Sequence, residues 1–321
     1  MSRAAVARAQ ERPGAAPTWP PLAVVGPTAS GKTEAGVELA PRLGAEVLVV
    51  DSMTVYRGMD VGTAKPSPEQ RGRVPHHLVD LADPDDRFSV VRFQAEARRA
   101  LEDLGARGVP ALLVGGSGLY LRAVVDDLAF PGTDPDVRRL LEAEGAALGA
   151  SRLHRRLAGF DPRAAARIEP RNLRRSVRAL EAAAVTGRPF SSFAETWDRY
   201  PAGRVRAAGI ELAPDVLRRR IEARVRHMVA QGLADEVRGL LDRGLRGFLT
   251  SSQAIGYLEM ALHLEGRLSE EEMVERTVRR TRHLARRQMA WFRRDPRIRW
   301  FTAGEGGAMD VVDAIEEHLR G

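Results

Sequence analysis

The chain has no cysteine in 321 residues. That excludes disulfides, zinc-finger modules and other thiolate metal sites, and a cysteine nucleophile, and it fits a reducing compartment. No apolar run approaches the roughly 18 residues of a membrane-spanning helix. Residues 1–20 contain arginine and alanine but no apolar signal-peptide centre. A cytoplasmic protein without a membrane partner and with a disordered tail over 1–20 is expected, an organellar transit peptide being the rival reading of that tail. Lysine is nearly absent: of 50 basic residues only Lys32 and Lys65 are lysine. A single surface arginine is therefore weak evidence of function, whereas Lys32 marks a place that needs a compact ammonium and not a planar fork. No internal repeat is present.

Charge is unevenly placed. Residues 1–150 hold 17 basic and 20 acidic side chains, and residues 151–321 hold 33 and 23. A surplus of ten positive charges in the second half points to a polyanion, most simply nucleic acid, bound with release of counterions.

The most specific short motif is Gly26-Pro27-Thr28-Ala29-Ser30-Gly31-Lys32-Thr33, which fits the phosphate-loop pattern G-x-x-x-x-G-K-[ST]. An apolar strand over 21–25 precedes it and a helix over 34–43 follows. In that setting successive backbone N–H groups and the helix N-terminus surround a phosphate oxygen, Lys32 adds charge, and the Thr33 hydroxyl can ligate Mg²⁺. The loop recognises phosphates, not the group attached to them. A second β-branched strand, 46–50, ends at Asp51-Ser52, where a parallel sheet presents its ligand edge. Asp51 can act there as a site carboxylate, as a Mg²⁺ ligand or as a plain strand-end cap. An ordered loop over 53–66 holds the second lysine. Pro75 opens a further expected strand, 75–80, whose paired His76 and His77 face opposite ways and so make a poor metal site.

A helix over 90–104 and an apolar strand over 109–114 deliver Gly115-Gly116-Ser117-Gly118 beside the first glycine turn. From about residue 131 the pattern changes to arginine- and alanine-rich helices, until 204–212 returns as an expected last strand. Arg171, Arg174, Arg175 and Arg178 have the spacing of one basic helical stripe. Pro214 starts a helix with Arg220 and Arg224 adjoining its apolar face, either able to reach an anion. The long helix 270–294 carries arginine stripes, Arg279, Arg286, Arg293 and Arg280, Arg287, Arg294, interleaved with Trp291 and Phe292, a pattern suited to phosphate contact and base stacking. These elements predict an α/β fold: a P-loop NTPase-like parallel sheet core flanked by helices (21–130), an inserted all-helical domain (131–203), and a completed core with basic C-terminal helices (204–321).

Taken together, residues 26–33, Asp51-Ser52 with the 56–66 run, Pro75-His76-His77-Leu78, residues 115–120, Arg178-Ala179-Leu180-Glu181, Gln253-Ala254-Ile255-Gly256-Tyr257 and Arg287-Gln288-Met289-Ala290-Trp291-Phe292-Arg293 resemble the bacterial tRNA dimethylallyltransferases along nearly all of 21–301. The resemblance implies transfer of a dimethylallyl group from dimethylallyl diphosphate to N6 of the adenosine 3′ of the anticodon, position 37. It implies that the phosphate loop holds the diphosphate with Mg²⁺ at Thr33, that Asp51 is the general base, and that Ser117, in place of the family's usual threonine, and Arg220 assist. It further implies RNA contacts from Asp51, Ser52, Met53, Thr54, His76, Arg174, Arg175, Arg178, Gln253, Gly256, Tyr257, Arg286, Arg287, Gln288, Trp291 and Arg293. The expected partners are the tRNA anticodon stem-loop and dimethylallyl diphosphate, served by a monomer. Ser176 and Pro214 depart from the family's pattern. A small-metabolite kinase would need ATP and not the basic second half, an adenylate isopentenyltransferase would not need that half either, and a non-enzymatic RNA binder leaves Asp51 and the loop unexplained.

Overall fold

The computed structural model describes residues 20–321. The tail expected over 1–20 lies, but for Pro20, outside the described residues. The chain divides into two compact units, one running to Asp126 and resuming over Ala202–Gly321, the other Asp127–Pro201.

The first unit is built on strands β1 (Leu22–Val25), β2 (Glu46–Val50), β3 (His76–His77), β4 (Ala111–Gly115), β5 (Arg206–Leu212) and β6 (Ile298–Ala303). They form one sheet in the order β3-β2-β4-β1-β5-β6 with every pairing parallel. The central strands are near-continuous apolar runs because both faces are covered. Alternation then decides which face each residue serves. Ala23, Val25, Leu48, Val50 and Leu113 enter one core, and Val24, Val47, Val49, Leu112 and Val114 enter the other.

Helices α1 (Lys32–Arg42), α2 (Pro68–Arg73), α3 (Val90–Arg107) and α4 (Gly118–Val125) belong to the first stretch of this unit. The second unit is wholly helical: α5 (Pro135–Leu148), α6 (Ala150–Phe160), α7 (Pro162–Arg167), α8 (Leu173–Thr186) and α9 (Phe190–Ala194), around Leu141, Leu153, Leu157, Val177 and Leu180. The chain then adds α10 (Pro214–Ala230), α11 (Leu233–Asp242), α12 (Tyr257–Leu264), α13 (Glu270–Phe292) and α14 (Val312–Arg320) to the first unit. Strand β1 lies between β4 and β5, which come from different parts of the chain, so a crevice opens at the carboxyl ends of the strands at this switch.

Several expectations change. The strand expected over 75–80 is only His76–His77, because Leu78 and Asp80 take left-handed backbone angles (φ 66° and 55°). Strand 204–212 is not the last. The edge strand β6 follows it, hidden from an apolar-run reading because exposed Arg299 and Thr302 alternate with buried Ile298, Phe301 and Ala303. Helix α3 runs through Gly105 and ends at Gly108, whose left-handed φ of 68° caps it.

The basic stripe is also broken. Asn172 caps α8 by accepting from the Arg175 N–H at 3.1 Å, which leaves Arg171 ahead of the helix. Arg178 turns to the carbonyls of Pro131 (2.6 Å) and Gly132 (2.9 Å) and to Glu181, so it holds the segment that leads into its own unit. Arg174 and Arg175 are the exposed members on α8.

Candidate active site

A cavity of about 340 Å³ opens where β1, β2 and β4 end. The loop 26–33 forms one wall. Ala29 and Gly31 have positive φ (64° and 86°), which curls the backbone ahead of α1. Ser30 is fully buried, and its carbonyl accepts from the Ala308 N–H at 2.8 Å, fixing the curl from outside. Arg220 adds a second brace: its Nε donates to Ala29 O (2.8 Å) and its Nη1 to Glu305 O (2.6 Å). Arg220 lines not this cavity but an adjoining cleft of about 1160 Å³.

Lys32 and Arg224 bring positive charge to the cavity. Lys32 Nζ donates to Pro27 O and, at 3.4 Å, to Ser30 Oγ. Burial, helped by the charge of Arg224, lowers its pKa from 10.5 to about 7 against the opposing pull of Asp51 and Glu34. Arg224, one helical turn beyond Arg220, is held by a single long bond to Thr63 O (3.5 Å). Burial depresses its pKa as well, while Glu34 and Asp51 oppose the shift.

Asp51 closes the end of β2. Its Oδ1 accepts from the Met53 N–H (2.7 Å) and the Thr54 N–H (3.4 Å), so it does cap the strand end while lining the cavity. Burial raises its pKa, and those two N–H bonds, then Arg224 and Lys32, hold it back. A carboxylate so placed is a better proton acceptor than one in water.

Ser117 is the N-cap of α4 yet makes no side-chain capping bond, and it lines the cavity with Thr33. Thr54 lines it too, its hydroxyl buried without a hydrogen-bond partner among the described residues. Ser52, Met53 and His76 complete this side. His76 Nδ1 pairs with Val74 O at 2.7 Å, and burial lowers the ring's pKa, favouring its neutral form. Its neighbour His77 pairs with Glu46 instead, as opposite strand faces require.

Helix α13 supplies the roof. Gln288 Oε1 accepts from the Thr28 N–H of the loop at 2.8 Å, and Arg287 and Leu284 line the cavity beside it. Gln253 reaches it from the turn before α12. Arg286 and Arg293 are exposed, Arg293 pairing with Glu211 at 3.0 Å, and Trp291 packs on Gly118. Tyr257, expected at an RNA surface, is fully buried. Its hydroxyl donates to Glu236 at 2.6 Å, and its ring fills the space where a Cβ on Gly62 would stand, so it is a support, as is the buried Gly256 ahead of it.

Glu236 itself escaped the sequence reading. It accepts from the N–H groups of Asp60, Val61 and Gly62 (2.7, 2.7 and 3.1 Å) and so stiffens the 58–66 loop. Nothing local marks it, because the loop N–H groups it holds lie more than 170 residues away. Lys65, in that loop, is buried against Asp80 (2.7 Å), Asp60 and Tyr56 O, which makes it a loop anchor and not a free cation.

A family model described as IPP transferase matches residues 54–295, and one described as isopentenyl transferase matches residues 22–74. The chain belongs to the IPP transferase family. This transferase chain is 52% identical over 311 residues to the tRNA dimethylallyltransferase of Kineococcus radiotolerans, covering 94% of this chain and 97% of that protein. It is 50% identical to the tRNA dimethylallyltransferase of Streptomyces coelicolor, with 88% and 90% covered. Its structure resembles the full-length tRNA isopentenylpyrophosphate transferase of Bacillus halodurans (TM-score 0.66, 41% identity, 94% and 97% covered). The fold also matches a eukaryotic dimethylallyltransferase acting on tRNA (TM-score 0.74, 24% identity, 92% and 77% covered). The P-loop-like parallel sheet is thus a feature of the family.

Proposed function

We propose that this IPP transferase family member transfers the dimethylallyl group of dimethylallyl diphosphate to N6 of adenosine 37, beside the tRNA anticodon. The observation that carries the reading is that a half-buried carboxylate, Asp51, lines the same cavity as two cations, Lys32 and Arg224, that outnumber it. An allylic C–O bond breaks easily once the departing diphosphate is neutralised. Lys32, Arg224 and the curled loop N–H groups supply that neutralisation, and Arg220 keeps the curl in place. The N6 lone pair forms the new C–N bond as the C–O pair leaves with the diphosphate, and Asp51 accepts the N6 proton.

Among the described residues no group of three or more His, Cys, Asp or Glu is placed to cage a metal ion. The Thr33 hydroxyl is the group that would hold a Mg²⁺ arriving with the diphosphate. When bound it withdraws charge from the leaving group. The exposed Arg286 and Arg287 on α13, and Arg174 and Arg175 on α8, are the phosphate-contacting residues of this reading. Among the described residues no helix is long and apolar enough to cross a membrane. The test supplies labelled dimethylallyl diphosphate, Mg²⁺ and unmodified tRNA, then digests the RNA to nucleosides. Label is expected on N6 of one adenosine, and unlabelled RNA refutes the function.

A further inference from the structure

Gln288 joins the loop, the second glycine turn and the cavity. Its partner, the Thr28 backbone N–H, is a donor only, so the carboxamide oxygen must face it and the NH₂ must face away. The NH₂ comes to rest on Gly116, where an added Cβ would stand 2.3 Å from Nε2; only a glycine admits it. Gln288 is buried at 8% exposure, and no described residue accepts a hydrogen bond from Nε2. A fixed, unused donor therefore stands in the cavity wall.

Across the β4 edge stands Asp51, an acceptor. Strand β4 lies between β2 and β1, so the strand ends that carry Asp51 and the loop are about two strand spacings, or roughly 10 Å, apart. A planar base with a hydrogen bond at either side spans such a gap.

We propose that Gln288 Nε2 donates to the ring nitrogen next to the exocyclic amine of the acceptor base while Asp51 takes the amine proton, so that the pair selects adenine. The assignment rests on the proposed function. Adenine places its N6 donor between two ring acceptors, N1 and N7. Guanine and hypoxanthine place an oxygen at C6, so acceptor meets acceptor at Asp51, and where N1 is the nitrogen read their N1–H also sets donor against donor. Cytosine shows the adenine pattern, so the pair rejects the keto bases and not cytosine.

The test uses the full chain and anticodon stem-loop RNAs bearing adenosine, 1-deazaadenosine or 7-deazaadenosine at the reacting position. Gln288→Glu keeps an oxygen for the Thr28 N–H and removes the donor. With adenosine it should lower kcat/KM by about 10- to 100-fold. One of the deaza bases should cost the wild type more than it costs the variant, by that same factor, a non-additivity that names the nitrogen read. Gln288→Met should show the same lost discrimination and also a higher KM for dimethylallyl diphosphate, since the loop N–H loses its partner. Equal deaza penalties in wild type and both variants overturn the assignment. Absence of any transfer by the wild type to the adenosine RNA defeats the underlying function instead, so the two failures are distinguishable.

Discussion

Two clusters of charge, one buried and one half-buried, lie in the same α/β unit and are balanced differently. Where α4 ends, Arg122 and Arg297 meet Asp126 and Asp295: Arg122 pairs with Asp126, and Arg297 reaches Asp126 at 2.6 Å and Asp295 at 2.7 Å. All these side chains are under a tenth exposed, two cations against two carboxylates. In the cavity, Lys32 and Arg224 face the carboxylate of Asp51, while Glu34 is exposed in the adjoining cleft. Matched buried charges hold elements together, whereas a buried cation lacking a partner costs about several kcal/mol. The depressed pKa values of Lys32 and Arg224 are the mark of that cost. One cluster is complete; in the proposed function a diphosphate completes the other.

The contrast can be broken most severely at Asp51. Asp51→Asn should lower kcat by about 10²- to 10⁴-fold while the KM for dimethylallyl diphosphate stays close to wild type, since the cations remain. Single-turnover transfer of the labelled group reads this, and near-normal turnover removes Asp51 as the base.

The next test sets the clusters against each other. Arg224→Met should cost kcat/KM about 10²- to 10³-fold yet leave the ligand-free protein as stable as wild type or more so. Arg297→Met should do the reverse: about 3–5 kcal/mol of stability lost because Asp126 and Asp295 are left underpaired, with turnover per folded molecule unchanged. Denaturant unfolding with parallel kinetics decides, and equal stability losses would erase the distinction.

A subtler effect follows from the Lys32 pKa of about 7. Below pH 7 the free site is already charged and takes diphosphate directly. Above it Lys32 is increasingly neutral and must gain a proton on binding, so affinity should fall as pH rises. At pH 7 about half a proton should enter through Lys32, read by calorimetry in buffers of different ionisation enthalpy and absent in Lys32→Met. The same burial opposes folding most below pH 7, and the cost fades as pH rises towards 10.5, because over that window the unfolded lysine holds its proton and the folded one does not. The smallest effect belongs to Ser117→Thr, which adds a methyl and keeps the hydroxyl. Turnover and melting temperature should stay unchanged within error, and a large loss would show that the wall admits no added volume.

The loop, its flanking strand and helix, and Asp51 at the end of β2 were legible because each follows from local pattern: residue type, spacing and a strand of apolar residues. What stayed hidden depends on distant packing. Arg220 and Arg224 are one turn apart and alike in sequence, and only the tertiary structure gives Arg220 the carbonyls of Ala29 and Glu305 while Arg224 lines the cavity. Gln288 was marked only as an RNA contact by the resemblance, and its bond to Thr28 spans 260 residues. Tyr257, an RNA contact by the resemblance, is enclosed by Glu236 and Gly62. Arg178 kept its helical spacing but lost its solvent face to Pro131 and Gly132.

The most direct measurement is the melting temperature with and without inorganic diphosphate and Mg²⁺, for wild type, Lys32→Met and Arg224→Met. If the cavity awaits an anion, saturating diphosphate at about a hundred times its Kd should stabilise the wild type by about 2.7 kcal/mol and raise its Tm, with most of the rise lost in both variants. A wild-type Tm that does not move, or an equal rise in all three proteins, would contradict the account.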